Sequence, residues 1–116
     1  MKNLKELLEK TKQLDWSFEI YNETNPTRNY VDMQKYSPAG EDFGVVVDFN
    51  EENPIESFIE DLEVFYENFD PDEHAEMWVD SRGKNGVPGS IRELIDDADA
   101  IKDMIEELLD FLKENK

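Results

Sequence analysis

Between residues 41 and 80 the chain holds fifteen Asp or Glu residues and no Lys or Arg, yet the same stretch carries its cleanest apolar periodicity. Ile55, Phe58, Ile59, Leu62, Phe65, Tyr66 and Phe69 recur at steps of three and four, which lines them along one side of an α-helix. Pro54 stands where a first helical turn tolerates a missing N–H. A helix over 55–69 must bury that stripe and turn its acids to water. Glu56, Glu60, Glu63 and Glu67 then form one line at i, i+4, i+7 and i+11, with Asp61 beside it. Like charges at this spacing destabilise a helix by roughly 0.2–0.5 kcal/mol per pair. A face that serves only solubility usually intersperses lysine, and this one does not.

The N-terminal segment shows the mixed arrangement. Residues 3–14 place Leu4, Leu7, Leu8 and Leu14 near helical spacing, with Glu6 and Lys10 in the favourable order. Trp16, Phe18 and Ile20 alternate with Ser17, Glu19 and Tyr21, a strand pattern. NETNPTRN, 22–29, reads as a loop because Asn and Pro favour turns. Residues 30–36 alternate again, with Val31 and Met33 on one side, and SPAGED, 37–42, reads as another turn. Phe43, Val45, Val47 and Phe49 line a third strand; Val46, on its other side, predicts partial cover there. Links this short give an antiparallel meander.

Beyond residue 69, Asp70, Pro71, Asp72 and Glu73 supply an N-cap, a proline at the first helical position and acid in the first turn. Ala75, Trp78 and Val79 are the expected buried side of that helix, and Gly83 its stop. GKNGVPG, 83–89, reads as a loop, and Ser90 with Glu93 forms a capping box. Apolar residues at 91, 94, 95, 98, 101, 104, 105, 108, 111 and 112 predict one long helix to residue 113, with Asp96–Asp99 the place for a break. The expected fold is α+β: a three-stranded antiparallel β-meander packed with helices, in the order α-β-β-β-α-α-α, as a single domain over residues 1–116. The first five elements share their order with a double-stranded RNA-binding domain. Charge opposes that function, because phosphates need cations.

The formal charge is −18 and the pI near 4.2, with 38% hydrophobic residues, too many for a disordered acidic tail. Such a field repels nucleic acid and anionic lipid and draws basic surfaces. It also strains the compact state, so added salt should stabilise the fold. Cysteine is absent, which excludes disulfides and thiolate metal sites. No apolar run approaches a membrane span and no signal-peptide core is present, so the expected location is cytoplasmic.

The candidate partner-binding surface is the acid line Glu56, Glu60, Glu63 and Glu67, extended by Asp70, Asp72, Glu73, Glu76 and Asp80. It reads either as a phosphate-like surface for a protein's nucleic-acid groove or as a solvated face serving solubility. His74, the single histidine, sits among Asp70, Asp72 and Glu73 in no recognised metal spacing, and reads as a surface residue of a first helical turn. Catalytic residues, cofactors and metals are assigned nowhere: paired carboxylates carry no information in so acidic a chain, and GKNGVPG is not a P-loop. Trp16, Tyr21, Tyr30, Tyr36 and Trp78 are expected in the core or at its edge, with Trp78 an interface anchor if exposed. Arg82 and Lys84 relieve local repulsion, and the last helix suits a monomer core or a weak homodimer seam.

YSPAGEDF (36–43), FDPDEHAEMW (69–78) and GVPGSIRELIDDADAIKDMIEEL (86–108) resemble small acidic proteins of the phages and conjugative elements of Gram-positive bacteria, over most of residues 36–112. The resemblance implies a mobile-element context inside a bacterial host cell, where small acidic proteins such as anti-restriction and anti-CRISPR proteins counter host defence by mimicking DNA. The expected function is a non-enzymatic acidic binding protein, a nucleic-acid mimic whose partner is a basic nucleic-acid-binding protein such as a nuclease effector. The alternatives are an interaction adaptor that docks through apolar residues, or a small-ligand-binding protein.

Overall fold

The computed structural model of the chain describes residues 3–82 and 91–116, with the backbone alone at 78–82 and 91. Helix α1 (Leu4–Lys10) opens on Asn3, whose Oδ1 accepts from the Glu6 amide at 2.8 Å. It tightens into a 3-10 turn over Thr11–Leu14, and Asp15 stops it in the left-handed region at φ 67°. The reversal drops Trp16 into the core, 2% exposed.

Strands β1 (Ser17–Thr24), β2 (Thr27–Tyr36) and β3 (Asp42–Phe49) form one antiparallel sheet in chain order, as the alternation predicts. The register places Phe18 opposite Met33, Ile20 opposite Val31, and those two β2 residues opposite Val45 and Val47. All of these share one face, and α1, α2 (Pro54–Asn68) and α4 (Ile91–Asn115) pack on it. The first hairpin is longer than predicted: Asn22 pairs with Asn29 and Glu23 with Arg28, leaving only Asn25 and Pro26, joined by a cis peptide bond, between the strands. Polar strand residues leave no hydrophobic alternation to read.

The opposite sheet face is open. Val46 is 49% and Tyr36 68% exposed there, so no described residue supplies the predicted cover and Tyr36 is not a core residue. Tyr21 and Tyr30 stack at 5.0 Å between centroids on this face. The Arg28 guanidinium lies 4.3 Å from the Tyr30 ring centre and pairs with Asp48 at 3.0 Å.

Helix α4 runs unbroken through Asp96–Asp99. Its Ile101, Ile105, Leu108 and Leu112 are fully buried against Phe58 and Leu62 of α2, so its apolar stripe is taken up within the chain. Glu56 of α2 meets Lys116, while the Phe69 carbonyl accepts from Lys102 Nζ at 3.2 Å; the two helices are therefore antiparallel. Helix α3 (Pro71–Arg82) sets Ala75 against Leu94 and Ala98 of α4, so α2 and α3 follow one another along α4. Trp78, Val79, Arg82 and Ile91 lie outside the described side chains, and Gly83, Lys84 and Ser90 outside the described residues. Among the described residues no helix is long and apolar enough to cross a membrane.

Asp97 explains why the turn before β3 is fixed. It is 5% exposed and accepts from Ser37 Oγ at 2.7 Å and the Ala39 amide at 2.8 Å. Ser37 Oγ in turn accepts from the Glu41 amide at 2.9 Å. Each lone pair so occupied offsets the desolvation of a buried carboxylate.

Candidate functional site

Helix α2 presents the predicted acid line, but not as an unbroken one. Glu60 and Glu67 are exposed without an ion-pair partner among the described residues. Glu63 receives Lys113 at 2.9 Å and Glu56 receives Lys116 at 3.4 Å, both from the end of α4. Lys113 is held above its ordinary value of 10.5 by the hydrogen bond to Glu63, with the charges of Glu63 and Asp110 adding to it. Asp61 turns to the sheet, where its carboxylate accepts from the Asp48 amide at 2.9 Å. Asp70, Asp72, Glu73 and Glu76 are exposed around the start of α3. Asp70 is also its cap, accepting from the Asp72 amide at 3.0 Å. The Asp80 side chain lies outside the described ones.

A second acid row went unread in the sequence. Asp99, Asp103, Glu106, Asp110 and Glu114 are all exposed on α4, at i, i+4, i+7, i+11 and i+15. At 1.5 Å rise per residue this row spans about 22 Å, and Glu56 to Glu67 spans about 16 Å. Each row carries a carboxylate about every 5.5 Å, against a phosphate every 3.4 Å or so along a DNA strand. Asp99, Asp103 and Glu114 make no ion pair among the described residues. Tyr66, between the rows, reports the local field: burial raises its phenol above the ordinary 10.0, and Glu106, Asp103 and Asp110 push it further. The spacing of this row is legible in the sequence, but Lys102 and Lys113 on the same helix give the segment a mixed charge that masks it.

His74 is not the surface residue expected. Its Nε2 lies 2.6 Å from Glu41 Oε2, and the two side chains are 18% and 8% exposed. The ring packs at 5.2 Å from Phe69 and 5.8 Å from Phe43. Beside this pair opens a groove of about 580 Å³ between the start of β3, the last turn of α2 and the first turns of α3. Phe43, Phe65, Phe69 and Met77 give it an apolar wall, and Asp42, Asp70 and Glu73 stand at its edge. Among the described residues no three His, Asp or Glu side chains are arranged to hold a metal ion.

No family model matches the chain, and neither a curated protein nor a solved structure matches it. The surface chemistry is therefore what speaks to function. Rows of carboxylates engage cations at a distance and along a length.

Proposed function

We propose that this protein is a non-enzymatic acidic binding protein that occupies the cationic nucleic-acid groove of another protein, with a host-defence nuclease as the class of owner. One observation carries the reading: antiparallel α2 and α4 expose two carboxylate rows side by side, and among the described residues only Lys113 and Lys116 reach across to the α2 row. A groove built for two phosphate strands meets the same sign of charge at a comparable pitch. Packing of both helices on a common core holds the rows without the ordering cost of flexible acidic tails. The resemblance to small acidic proteins of phages and conjugative elements supplies the setting, the cytoplasm of a bacterial host, where an anti-restriction or anti-CRISPR protein would act.

The test is a set of cleavage assays with restriction and CRISPR nucleases. At least one should be inhibited, excess duplex should relieve the inhibition, and the apparent affinity should fall steeply as salt rises. Inhibition of none, or inhibition indifferent to duplex and salt, overturns the proposal. The open sheet face, with Tyr36 and Val46 exposed, favours a second reading as an adaptor that docks through apolar contact. Partner binding that persists in about 0.5 M salt, where exposed charges are screened, would select it.

A further inference from the structure

The groove beside His74 differs in kind from the acid rows, because it combines charge with an aromatic wall. Phe43, Phe65 and Phe69 form a closed triangle with centroid separations of 6.3, 6.1 and 6.0 Å, and His74 joins two of them. Its charged lining, among the described residues, consists of Glu41, Asp42, Asp70, Glu73 and His74. Among the described residues four carboxylates face at most one cation, so this lining is net negative whether the imidazole is charged or neutral. The last turn of α2 carries no basic residue and directs the negative end of its dipole here. Lys102 takes the Phe69 carbonyl but is not among the groove residues. Asp70 occupies the opposing positive end of α3.

These features select a ligand class. An anion is repelled, and a neutral apolar molecule leaves the carboxylates without partners. A metal ion finds no converging ligand set among the described residues and gains little from a phenylalanine wall. A weakly hydrated cation with an apolar body satisfies both halves, the charge against Asp42, Asp70 and Glu73 and the stem against the rings. The volume lies within the range of small-molecule sites. We propose that this groove binds an organic monocation, a guanidinium or ammonium group carried on an alkyl or aryl stem. No residue of the α4 row lines the groove, and its binding is measured without any nuclease.

The experiment is an amide chemical-shift titration of the whole chain with phenethylguanidinium, with its neutral isostere phenethylurea, and with the dipeptide acetyl-Phe-Arg-amide. Phenethylguanidinium should give saturable shifts at Gly44, Asn68, Glu73 and Met77, and phenethylurea none. Combining Asp42→Asn, Asp70→Asn and Glu73→Gln, which keeps an N-cap at residue 70, should weaken binding about tenfold. Met77→Lys, which places an ammonium on a stem at the groove, should abolish it. Tighter binding of the dipeptide than of phenethylguanidinium identifies the source as an arginine of a partner protein, and the reverse order identifies a free small molecule. No shifts, equal shifts from the urea, unchanged binding by the triple variant, or shifts confined to the helical acid rows would each overturn the proposal.

Discussion

Helices α2 and α4 carry acid rows of similar spacing, yet their surroundings differ. The α2 row lies in a stretch with no basic residue, but two of its four carboxylates receive lysines from the end of α4. The α4 row lies on a helix with lysines of its own, but their hydrogen bonds go elsewhere: Lys113 bonds Glu63, with Asp110 of the row still near enough to act on it, and Lys102 bonds the Phe69 carbonyl. Local charge in the sequence therefore predicts the α2 field as too strong and the α4 field as too weak. What matters is where a long cationic side chain lands after the helices pack.

The largest effect separates two acids of α4 that the sequence presents alike. Asp97→Ala removes the acceptor for Ser37 and Ala39 and should cost about 3 kcal/mol in urea unfolding, whereas Asp103→Ala should stay within about 0.5 kcal/mol of the parent. Equal losses would mean that the exposed row is structural after all. Next comes the row itself. Replacing Asp99, Asp103 and Asp110 by Asn and Glu114 by Gln should raise stability by about 1 kcal/mol at low salt and shrink the stabilisation that added salt gives. The matching change in α2, Glu56, Glu60, Glu63 and Glu67 to Gln, should gain less, because it also breaks two cross-helix pairs.

Smaller still is Lys116→Gln, which should cost about 0.3 kcal/mol, an amount that vanishes at high salt. The Lys113 pair has a pH signature. Its ammonium is held above 10.5, so its contribution is fully present below pH 10.5 and is lost as pH rises through the higher folded value. The stability difference between the parent and Lys113→Gln should therefore close on the alkaline side, as read by denaturant midpoints; a difference that widens there contradicts the pairing.

The fold was legible wherever apolar residues repeat locally. The stripe from Ile55 to Phe69, the alternation of Phe43, Val45 and Val47, and the Asp70–Pro71 helix start all appear where the pattern puts them. Three features left no such trace. Asp97 sits in IDDADA as one acid among several, and only the position of the 37–41 turn makes it a buried acceptor. Glu41 and His74 are 33 residues apart and meet because β3 and α3 flank the end of α2. Val46 looked like a sign of a covered second face, but a single valine did not draw a layer over Tyr21, Tyr30 and Asp32. Of the predicted acid surface, Glu60 and Glu67 make no ion pair among the described residues and Glu56 and Glu63 are paired, while the α4 row, regular in its spacing, is set beside α2 only by the antiparallel packing of the helices.

The surface proposed for a cationic groove is the two rows together. The most direct measurement compares nuclease inhibition by the parent, by each row-neutralised variant, and by the variant with both rows neutralised, after circular dichroism shows each to be folded. Loss of the α4 row should weaken inhibition more than loss of the α2 row, and loss of both should abolish it. Full inhibition by the doubly neutralised protein would rule out the acid rows as the binding surface.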